Sequence, residues 1–308
     1  MRTLVTGATG FAGRHLCRRL LEAGHEVVGT RLADGEQAPH PLATCDVRDA
    51  QAVDALLART RPDAIVHLAA IARVQDAAEA PHLAFATNVR GTQNLLESAA
   101  AHAPRATLLV VSSAEVYGAV PAEALPIRES QPLAPARIYG LTKAAAECLC
   151  AAYADRLRAV VLRPFNHIGP GQSPRFVASS FARQVADIEA RRAEPVLRVG
   201  NLEARRDFTD VRDVARAYAL ALDRCVPNTP YNVCSGRAVP VRRLLDLLLG
   251  MSDAAIRVEP DPARMRPGDV PALEGSPERF AAATGWAPRF DLERTLADLL
   301  AWWRSRRG

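Results

Sequence analysis

The feature that most constrains this chain is a glycine-rich turn that directly follows its first apolar run. The segment TGATGFAG places Gly7, Gly10 and Gly13 in a GxxGxxG pattern between the run at 3–6 and an amphipathic helical pattern. Gly7 permits the tight turn, Gly10 lets the backbone approach a pyrophosphate, and Gly13 allows the helix to pack closely on the strand. In this strand-to-helix context the pattern predicts a dinucleotide site. The other residues of the turn that we expect at the dinucleotide are Thr9, Phe11 and Ala12.

Short apolar runs alternate with helical patterns through the first half of the chain. The runs predicted to be strands, after the one at 3–6, are 27–29, 64–68, 108–111 and 159–162. They are continuous rather than alternating, as is typical of parallel strands that are covered on both faces. The helical patterns between them lie at 14–23, 82–101 and 138–156. This order predicts an α/β fold, a doubly wound parallel Rossmann sheet.

The rhythm of the chain changes after Arg163, where prolines and glycines become frequent. Shorter patterns follow, with strands expected at 196–199, 231–234 and 256–259 and helices at 211–224, 241–249 and 292–304. We predict an NADP-binding Rossmann domain at 1–163, which the chain rejoins near 205–234. Residues 164–308 are expected to form mainly a smaller α+β substrate lobe, with the site between the two.

Composition restricts the class of protein. At 308 residues, with 49% apolar and 24% charged residues, the chain has the values of an ordinary globular protein. The net charge of +5 is spread over arginines without a basic run that contains aromatics, so nucleic acid is not an expected partner. Six cysteines without a CxxC motif are expected to be small core residues in a reducing compartment, with no metal. Without a signal stretch or a membrane-length apolar run, we expect a cytoplasmic protein that does not bind membranes.

The end of the second predicted strand indicates which dinucleotide binds. In an NAD enzyme this strand normally ends in an acidic residue that holds the ribose 2′-hydroxyl. Here the strand ends VVGTRL, and Arg31 stands at the expected acidic position, where it suits a 2′-phosphate. NADP, as NADPH, is therefore the predicted cofactor, with NADH as the alternative and an Arg31 that faces adenine or solvent as the other interpretation. The residues at later strand ends that are expected to line the cofactor channels are Asp46, Val47, Leu68, Ala69 and Ala70.

A serine, a tyrosine and a lysine form the candidate catalytic group. Tyr139 and Lys143 are spaced i, i+4 in YGLTK at the start of a helical pattern, and Ser113 follows the preceding strand in VVSSAEVYG. An unperturbed tyrosine has a pKa of about 10, but a lysine cation and an oxidised nicotinamide would favour the phenolate. The serine hydroxyl can hold the same substrate oxygen. This arrangement predicts proton transfer for a carbonyl/alcohol pair, with Tyr139 and Lys143 also at the cofactor.

These motifs together resemble the extended short-chain dehydrogenase/reductase family. The resemblance runs along the chain through TGATGFAG, HLAA, NVRGTQNLLESA, SSAEVYG, YGLTKAAAE and RDFTDVRDVARAY. RPFNHIGPGQSPRFV, YNVCSG and DPARMRPGDVPALEGS are most similar to members that reduce GDP-linked 4-keto-6-deoxyhexoses. The resemblance implies hydride transfer from NADPH to the 4-keto carbon, with Tyr139 as the proton donor and GDP-D-rhamnose as the product.

The resemblance also implies roles for the segment RPFNHIGPGQ (163–172) and for arginines beyond it. Pro164 and Phe165 are expected to border the nicotinamide. A guanidinium binds phosphate in a fork, which suits the arginines, although a surface role stays open for each. The residues expected to contact the sugar nucleotide are Asn166, Arg175, Arg206 and Arg266, together with Ser113 and Glu115.

Glu115 keeps other reactions open. It follows Ser113 by two positions, where related GDP-mannose 4,6-dehydratases place a glutamate that removes a proton from the sugar. A dehydratase or a nucleotide-sugar epimerase is therefore the alternative to a reductase, and Glu115 at a strand end can equally support the fold. A non-catalytic dinucleotide sensor is the alternative of another class. The reductase is favoured because PFNHIGPGQ is more similar to reductases, and because Ser113, Tyr139 and Lys143 are all present.

Two long helical patterns bear on the oligomeric state. The patterns at 82–101 and 138–156 carry apolar residues on more than one face. A single sheet covers one face of a helix, so a second apolar face needs another partner. A homodimer with these helices at its interface is expected.

Overall fold

A parallel seven-stranded sheet is the framework of this computed structural model, which describes residues 1–265 and 270–306. The strands along the chain are β1 (Arg2–Thr6), β2 (Glu26–Arg31), β3 (Leu42–Thr44), β4 (Ala64–His67), β5 (Thr107–Val111), β6 (Arg158–Pro164), β7 (Asn166–Ile168), β8 (Val196–Val199), β9 (Arg205–Asp210), β10 (Pro230–Val233), β11 (Ala238–Pro240), β12 (Arg257–Pro260) and β13 (Ala272–Leu273). The order in the large sheet is β10-β6-β5-β4-β1-β2-β3, and each neighbouring pair is parallel.

The α-helices along the chain are α1 (Phe11–Glu22), α2 (Ala50–Thr60), α3 (Val74–Glu79), α4 (Pro81–Phe85), α5 (Gly91–His102), α6 (Ile138–Ala152), α7 (Val177–Glu189), α8 (Val211–Arg224), α9 (Val241–Leu249), α10 (Glu278–Thr284) and α11 (Leu292–Ser305). Helices α1 and α8 cover one face of the large sheet, and α2, α5 and α6 cover the other. Leu16 of α1 and Tyr218 of α8 lie in the core on one face, and Leu56 of α2, Leu96 of α5 and Cys150 of α6 lie in the core on the other. The doubly wound α/β fold predicted from the sequence is confirmed. Within the described residues, none of these helices has the length and apolarity that crossing a membrane requires.

After β6 the chain builds a smaller α+β unit. Its sheet has the order β11-β9-β13, β7 also pairs with β9, and β8 pairs with β12. Helices α7, α9 and α11 enclose a second core that includes Phe181, Leu244 and Leu296. The chain also returns to the large sheet, because α8 packs on α1 and β10 pairs with β6.

The predicted helix at 82–101 is divided in the structure. Helix α4 is followed by a π-helical turn, Ala86–Arg90, before α5 begins. The turn holds the buried Asn88, whose side-chain oxygen accepts from the Ile71 N–H at 2.8 Å. The Asn88 amide also donates to the Thr142 hydroxyl of α6 at 3.0 Å. A π turn inserts one residue into a helix, and here it aims a polar side chain at the loop after β4.

Two elements between β2 and β4 were not anticipated. Strand β3 has only three residues. Helix α2 begins after Asp49, whose carboxylate accepts from the N–H groups of Gln51 and Ala52, and it buries Leu56 and Leu57. The aspartate cap and the apolar spacing are the sequence signals that identify this helix.

The cysteines differ in part from the prediction. Five of the six are buried, as expected of small core residues, whereas Cys148 is exposed on the outer side of α6. Cys150 lies two residues further along the helix and faces the sheet, where burial raises its pKa to about 12. The prediction that all six cysteines are core residues is wrong for Cys148, because its side of α6 is exposed and does not pack against the sheet.

Candidate active site

The carboxyl ends of β1, β4, β5 and β6 lead into the segments that carry most of the predicted site residues. In a parallel α/β sheet, ligands bind outside this edge. The turn after β1, the loop after β4, the serine pair after β5 and the segment after β6 therefore converge although they are distant in sequence. This edge is the candidate active site.

The glycine-rich turn has the shape that a pyrophosphate requires. Gly7 has a φ of +68°, and Gly10 closes the turn by donating its N–H to the Gly7 carbonyl at 3.0 Å. A Cβ at Gly13 would lie 2.2 Å from the Gly7 oxygen, so only glycine lets α1 pack this closely. Helix α1 begins at Phe11, and its N-terminus favours an anion at the turn. The turn, with Thr9 and Ala12, fits the predicted dinucleotide.

A buried histidine that the sequence analysis did not single out holds the loop after β4. His67 Nδ1 lies 2.8 Å from the Thr6 hydroxyl, and its Nε2 lies 3.2 Å from the Thr92 hydroxyl. The N–H groups of Leu68 and Ala69 also bond to Thr6 Oγ1. Burial lowers the pKa of His67 to about 3, so the ring is neutral. His67 fixes the loop that contains three predicted cofactor residues.

Arg31 lies at the end of β2, where the cofactor ribose is expected. Its guanidinium forms an ion pair with Asp34 at 2.8 Å and donates to the Glu36 carbonyl at 2.7 Å. A hydrogen bond from Thr44 and the Arg31 charge hold the pKa of Asp34 below its usual range. Arg31 is thus held in place by the loop after β2. A phosphate at this point would compete with the Asp34 carboxylate for the guanidinium.

Asp46 and Val47 follow β3 and lie one strand further out. Asp46 pairs with Arg48 at 2.5 Å, so its carboxylate is directed to that arginine. Val47 is buried, and its carbonyl accepts from Asn94 of α5 at 2.8 Å. Both contacts fix the loop after β3.

Ser113, Tyr139 and Lys143 are brought together between β5 and α6. Ser113 follows β5, and its hydroxyl is hydrogen-bonded to the Tyr139 phenol. Lys143, one helical turn after Tyr139, donates from Nζ to the Val111 carbonyl at 2.8 Å. A Cβ at Gly140 would lie 2.5 Å from the Glu115 carbonyl oxygen, so glycine at this position allows the close approach of α6.

Burial moves the pKa values of the tyrosine and the lysine in opposite directions. It raises the pKa of Tyr139 to about 12, although the Ser113 hydrogen bond acts in the lowering direction and the Glu115 charge adds to the rise. It lowers the pKa of Lys143 to about 8, against the Glu147 charge. In the protein alone, loss of hydration is the largest of these effects on Tyr139, so the lowering of its pKa by Lys143 together with an oxidised nicotinamide stays a prediction for the cofactor complex. The tyrosine is a protonated phenol at neutral pH, which is the form that donates a proton.

A second polar group lies behind these three residues. Arg163 of β6 forms a buried ion pair with Glu147 of α6, with Nη2 and Oε2 at 2.6 Å. Ser112 donates to the same carboxylate, and Arg163 Nη1 donates to the Tyr117 hydroxyl at 2.9 Å. Tyr117 in turn donates to Asn232 at the end of β10 at 2.7 Å. Three strands and α6 are thereby linked under the site.

The segment RPFNHIGPGQ joins the glycine-rich turn to the smaller unit. The His167 ring is stacked on the Phe11 ring, with centroids 5.8 Å apart and an interplanar angle of 6°. His15 of α1 lies 2.9 Å from the Pro170 carbonyl through Nε2. Gln172 donates to the His167 carbonyl at 2.9 Å, which closes the segment on itself. Its irregular path therefore places aromatic and imidazole rings against the cofactor turn.

The other predicted residues of this segment separate into buried and exposed ones. Pro164 is buried at the end of β6, and Phe165 is buried with its N–H bonded to the Val233 carbonyl at 2.9 Å. Asn166 begins β7 and is exposed, opposite Phe208 of β9. Pro164 and Phe165 are thus buried next to the strand end, and Asn166 presents an exposed polar side chain.

The candidate substrate arginines are less closely grouped. Arg175 forms an ion pair across 99 residues with Asp76 of α3, at 2.5 Å and 3.1 Å. Arg206 of β9 donates to the carbonyls of Arg205 at 2.8 Å and Val270 at 2.7 Å. Arg266 lies outside the described residues. Arg175 therefore joins the segment after β7 to α3, whereas Arg206 is bonded to backbone carbonyls.

A dinucleotide-type parallel sheet that brings a serine, a tyrosine and a lysine to its carboxyl edge belongs to an NAD(P)-dependent oxidoreductase of the short-chain dehydrogenase/reductase class. The family model described as GDP-mannose 4,6 dehydratase matches residues 4–299. The chain therefore belongs to the GDP-mannose dehydratase-like family of extended short-chain dehydrogenase/reductases.

One related sequence and two solved structures illustrate the similarity. GDP-6-deoxy-D-mannose reductase of Pseudomonas aeruginosa is 37% identical over 99% of this chain and 98% of its own length. The solved structure of RMD from Pseudomonas aeruginosa complexed with NADPH has a TM-score of 0.88 at 34% identity and covers 100% of both chains. The UDP-glucose 4-epimerase of Thermus thermophilus in complex with NAD also has a TM-score of 0.88, at 32% identity over 99% of both chains. Overall shape alone therefore does not separate reductases from epimerases.

The first prediction concerns Tyr139 as the proton donor. Tyr139→Phe removes the acidic hydroxyl and leaves the ring, so turnover is expected to fall by about 10²- to 10⁴-fold with little change in cofactor affinity. Steady-state rates and fluorescence titration with NADPH measure the two effects. Tyr153→Phe is the matched control, because Tyr153 lies beyond the other end of α6 and bonds Glu97 at 3.4 Å. Near-normal turnover of Tyr139→Phe would remove this residue from the mechanism.

Proposed function

We propose that the protein reduces the 4-keto group of a GDP-linked 4-keto-6-deoxyhexose with NADPH and forms GDP-D-rhamnose. The observation that carries the proposal is the arrangement of Ser113, Tyr139 and Lys143 beside the dinucleotide turn, with the Tyr139 phenol hydrogen-bonded to Ser113. The same tyrosine would donate its proton in the reduction of a ketone and accept it in the oxidation of an alcohol, so the similarity to a reductase gives the proposed direction. The full-length similarity to a GDP-6-deoxy-D-mannose reductase supports the same substrate class.

The residues of the site divide the work of reduction. Bound NADPH supplies the hydride that the ketone carbon accepts. The Ser113 hydroxyl holds the ketone oxygen, and Tyr139 transfers its proton to that oxygen as negative charge develops there. Lys143 is buried, and its cation stabilises the phenolate that remains on Tyr139. Asn166, Arg175, Arg206 and Arg266 are proposed to hold the sugar nucleotide.

A dehydratase or an epimerase is the second candidate. Glu115 supports it, because this carboxylate follows Ser113 in the same turn and its charge acts on Tyr139. A glutamate in this position would serve as the base that removes a carbon-bound proton of the sugar. Both alternatives restore their cofactor within each cycle, whereas a reductase consumes one NADPH for each product.

The reaction prediction uses this difference in cofactor consumption. GDP-mannose alone is expected to give no reaction, because the chain reduces a ketone that another enzyme must form. When a separate dehydratase supplies the 4-keto intermediate, one NADPH should be oxidised for each product formed, as measured by the fall in NADPH absorbance. Glu115→Gln should lower this rate only modestly, since no carbon-bound proton is removed. Conversion of GDP-mannose to a keto sugar by the pure protein, without net NADPH loss, would establish the dehydratase instead.

The cofactor prediction rests on Arg31. Its guanidinium is fixed at the end of β2 by Asp34 and the Glu36 carbonyl, at the position expected for a 2′-phosphate. We expect a higher kcat/KM with NADPH than with NADH, and we expect Arg31→Ala to reduce the ratio by loss of a charge-assisted contact. Arg19→Ala, which removes an exposed arginine from the far end of α1, is the control. An equal preference in the wild type, or an unchanged ratio in Arg31→Ala, would contradict the proposed role.

The outer face of α4 and α6 supports a homodimer. Leu83 and Phe85 are each 39% exposed and Leu141 is 42% exposed, and Cys148 continues the stripe of Leu141 two turns further along α6. Exposed apolar side chains on adjacent helices indicate a partner, and a second copy of this chain buries the stripe against itself.

We also propose that the protein works in the cytoplasm, where unpaired cysteines stay reduced; recovery with the soluble fraction of lysed cells checks this.

The exposed thiol of Cys148 allows the dimer prediction to be tested by its reactivity. Sedimentation is expected to give a dimer, and Leu141→Glu is expected to shift it to a monomer because it places a charge in the apolar stripe. Cys148 should react slowly with a bulky thiol reagent in the dimer and rapidly in Leu141→Glu. Glu123→Lys, an exposed change away from both helices, is the control. A wild-type monomer at micromolar concentration would refute the proposal.

A further inference from the structure

Glu147 lies directly behind the candidate catalytic residues and takes no part in the proposed chemistry. We propose that Glu147 is a positioning residue that, through Arg163 and Ser112, fixes the strand end that carries Ser113 against the helix that carries Tyr139 and Lys143. The inference rests on the proposed catalytic roles of these three residues. It assigns a function to a buried charge pair that the reaction itself does not use.

The contacts of Glu147 are directional and almost free of solvent. The Glu147 side chain is 9% exposed and the Arg163 side chain is 6% exposed. Arg163 Nε lies 3.0 Å from Glu147 Oε1, and Nη2 lies 2.6 Å from Oε2, so the pair is a two-pronged fork. Ser112 donates its hydroxyl proton to Oε1 of the same carboxylate. Each carboxylate oxygen is therefore bonded.

Two consecutive residues of the strand end are tied to α6. The Val111 carbonyl accepts from Lys143, and the Ser112 hydroxyl donates to Glu147 one helical turn further along. Ser113 follows immediately and bonds Tyr139 one turn before Lys143. All three hydrogen bonds reach the same face of α6. Loss of the hydrogen bond to Glu147 leaves the segment that carries Ser113 less constrained.

The stability of the fold alone does not account for a buried ion pair at this position. Replacement of such pairs by well-packed apolar residues is often neutral or stabilising, because removal of two charges from water is costly. The pair is nevertheless fully engaged, since Arg163 also donates to Tyr117, which donates to Asn232. Apolar packing would fill the same space without the angular constraint of the hydrogen bonds. We infer that the ion pair fixes the position of Ser113 relative to Tyr139 and Lys143.

The same carboxylate acts on the charge of Lys143. Burial lowers the pKa of Lys143 to about 8, and the negative charge of Glu147 opposes that fall. When Glu147 is neutral, Lys143 loses its proton at a lower pH. The titratable groups that face this part of the site are His67, Glu115, Tyr117, Tyr139, Glu147 and Arg163. His67 and Tyr139 stay neutral around pH 8, so Lys143 is expected to set the alkaline limb of the rate profile.

The test measures rate, cofactor affinity and pH profile in three variants. Glu147→Gln is expected to lower kcat by up to about 100-fold, the scale of a misplaced catalytic group, with little change in the Kd of NADPH. The alkaline limb of the rate–pH profile of Glu147→Gln should move to lower pH. Ser112→Ala should lower kcat without moving the limb, because it removes a tie and no charge. Glu147→Asp should restore the position of the limb and part of the rate.

Stability is controlled with a second buried ion pair. Asp213 of α8 pairs with Arg216 at 2.8 Å on the opposite face of the sheet, so Asp213→Asn measures the effect of lost stability alone. If Glu147→Gln does not fold, Ser112→Ala decides: lower kcat at an unchanged Tm supports the inference, and an unchanged kcat overturns it. A folded Glu147→Gln with wild-type kcat, or with an unmoved limb and the same loss as Asp213→Asn, also overturns it.

Failure of the proposed reaction gives a different result. It would appear in the wild type, as no NADPH oxidation with the 4-keto sugar, or as full turnover in Tyr139→Phe. The role of Glu147 is read only from differences between variants of an active enzyme. The two hypotheses therefore fail in separate measurements.

Discussion

The junction between the end of β5 and the first turns of α6 is the contact on which the site depends. Lys143 bonds the Val111 carbonyl there, and the tyrosine and serine meet one turn away. Exclusion of water from this junction disfavours the charged form of each side chain. It therefore raises the pKa of the phenol and lowers the pKa of the ammonium. Both shifts favour the uncharged forms of the two side chains. The packing that stabilises the fold thus also sets their protonation.

Much of this could be predicted from the sequence because the signals are local. The glycine-rich turn is recognised within eight residues, the parallel strands by short apolar runs, and Tyr139 and Lys143 by a spacing of one helical turn. The order of strands and helices then fixes which ends of the strands meet. Ser113 is found because it closely follows the strand that precedes the helix. The family resemblance adds the substrate class to this framework.

What could not be predicted depends on contacts between distant residues or on burial. Tyr117 bonds Asn232 across 115 positions, and Arg175 bonds Asp76 across 99, so no local pattern reports either. The loss of hydration that raises the Tyr139 pKa in the protein alone is likewise not visible in the sequence, because it depends on how deeply the packed chain buries the phenol. Cys148 was missed for the related reason that sequence does not tell which side of α6 the rest of the chain covers.

The π-helical turn at Ala86–Arg90 has a consequence for how this part of the chain can vary in length. A π turn holds one residue more than an α turn, so deletion of a single residue here would close it to a regular α-helical turn without rotating α5 about its axis. Leu95 and Leu96 would stay buried against the sheet, whereas the Asn88 contact would be lost. Elsewhere in α5 each residue adds about 100° of rotation, so the same deletion would turn the side chains on one side of it away from their contacts. The turn is therefore where a change of length costs one polar contact and leaves the packing of the helix in place.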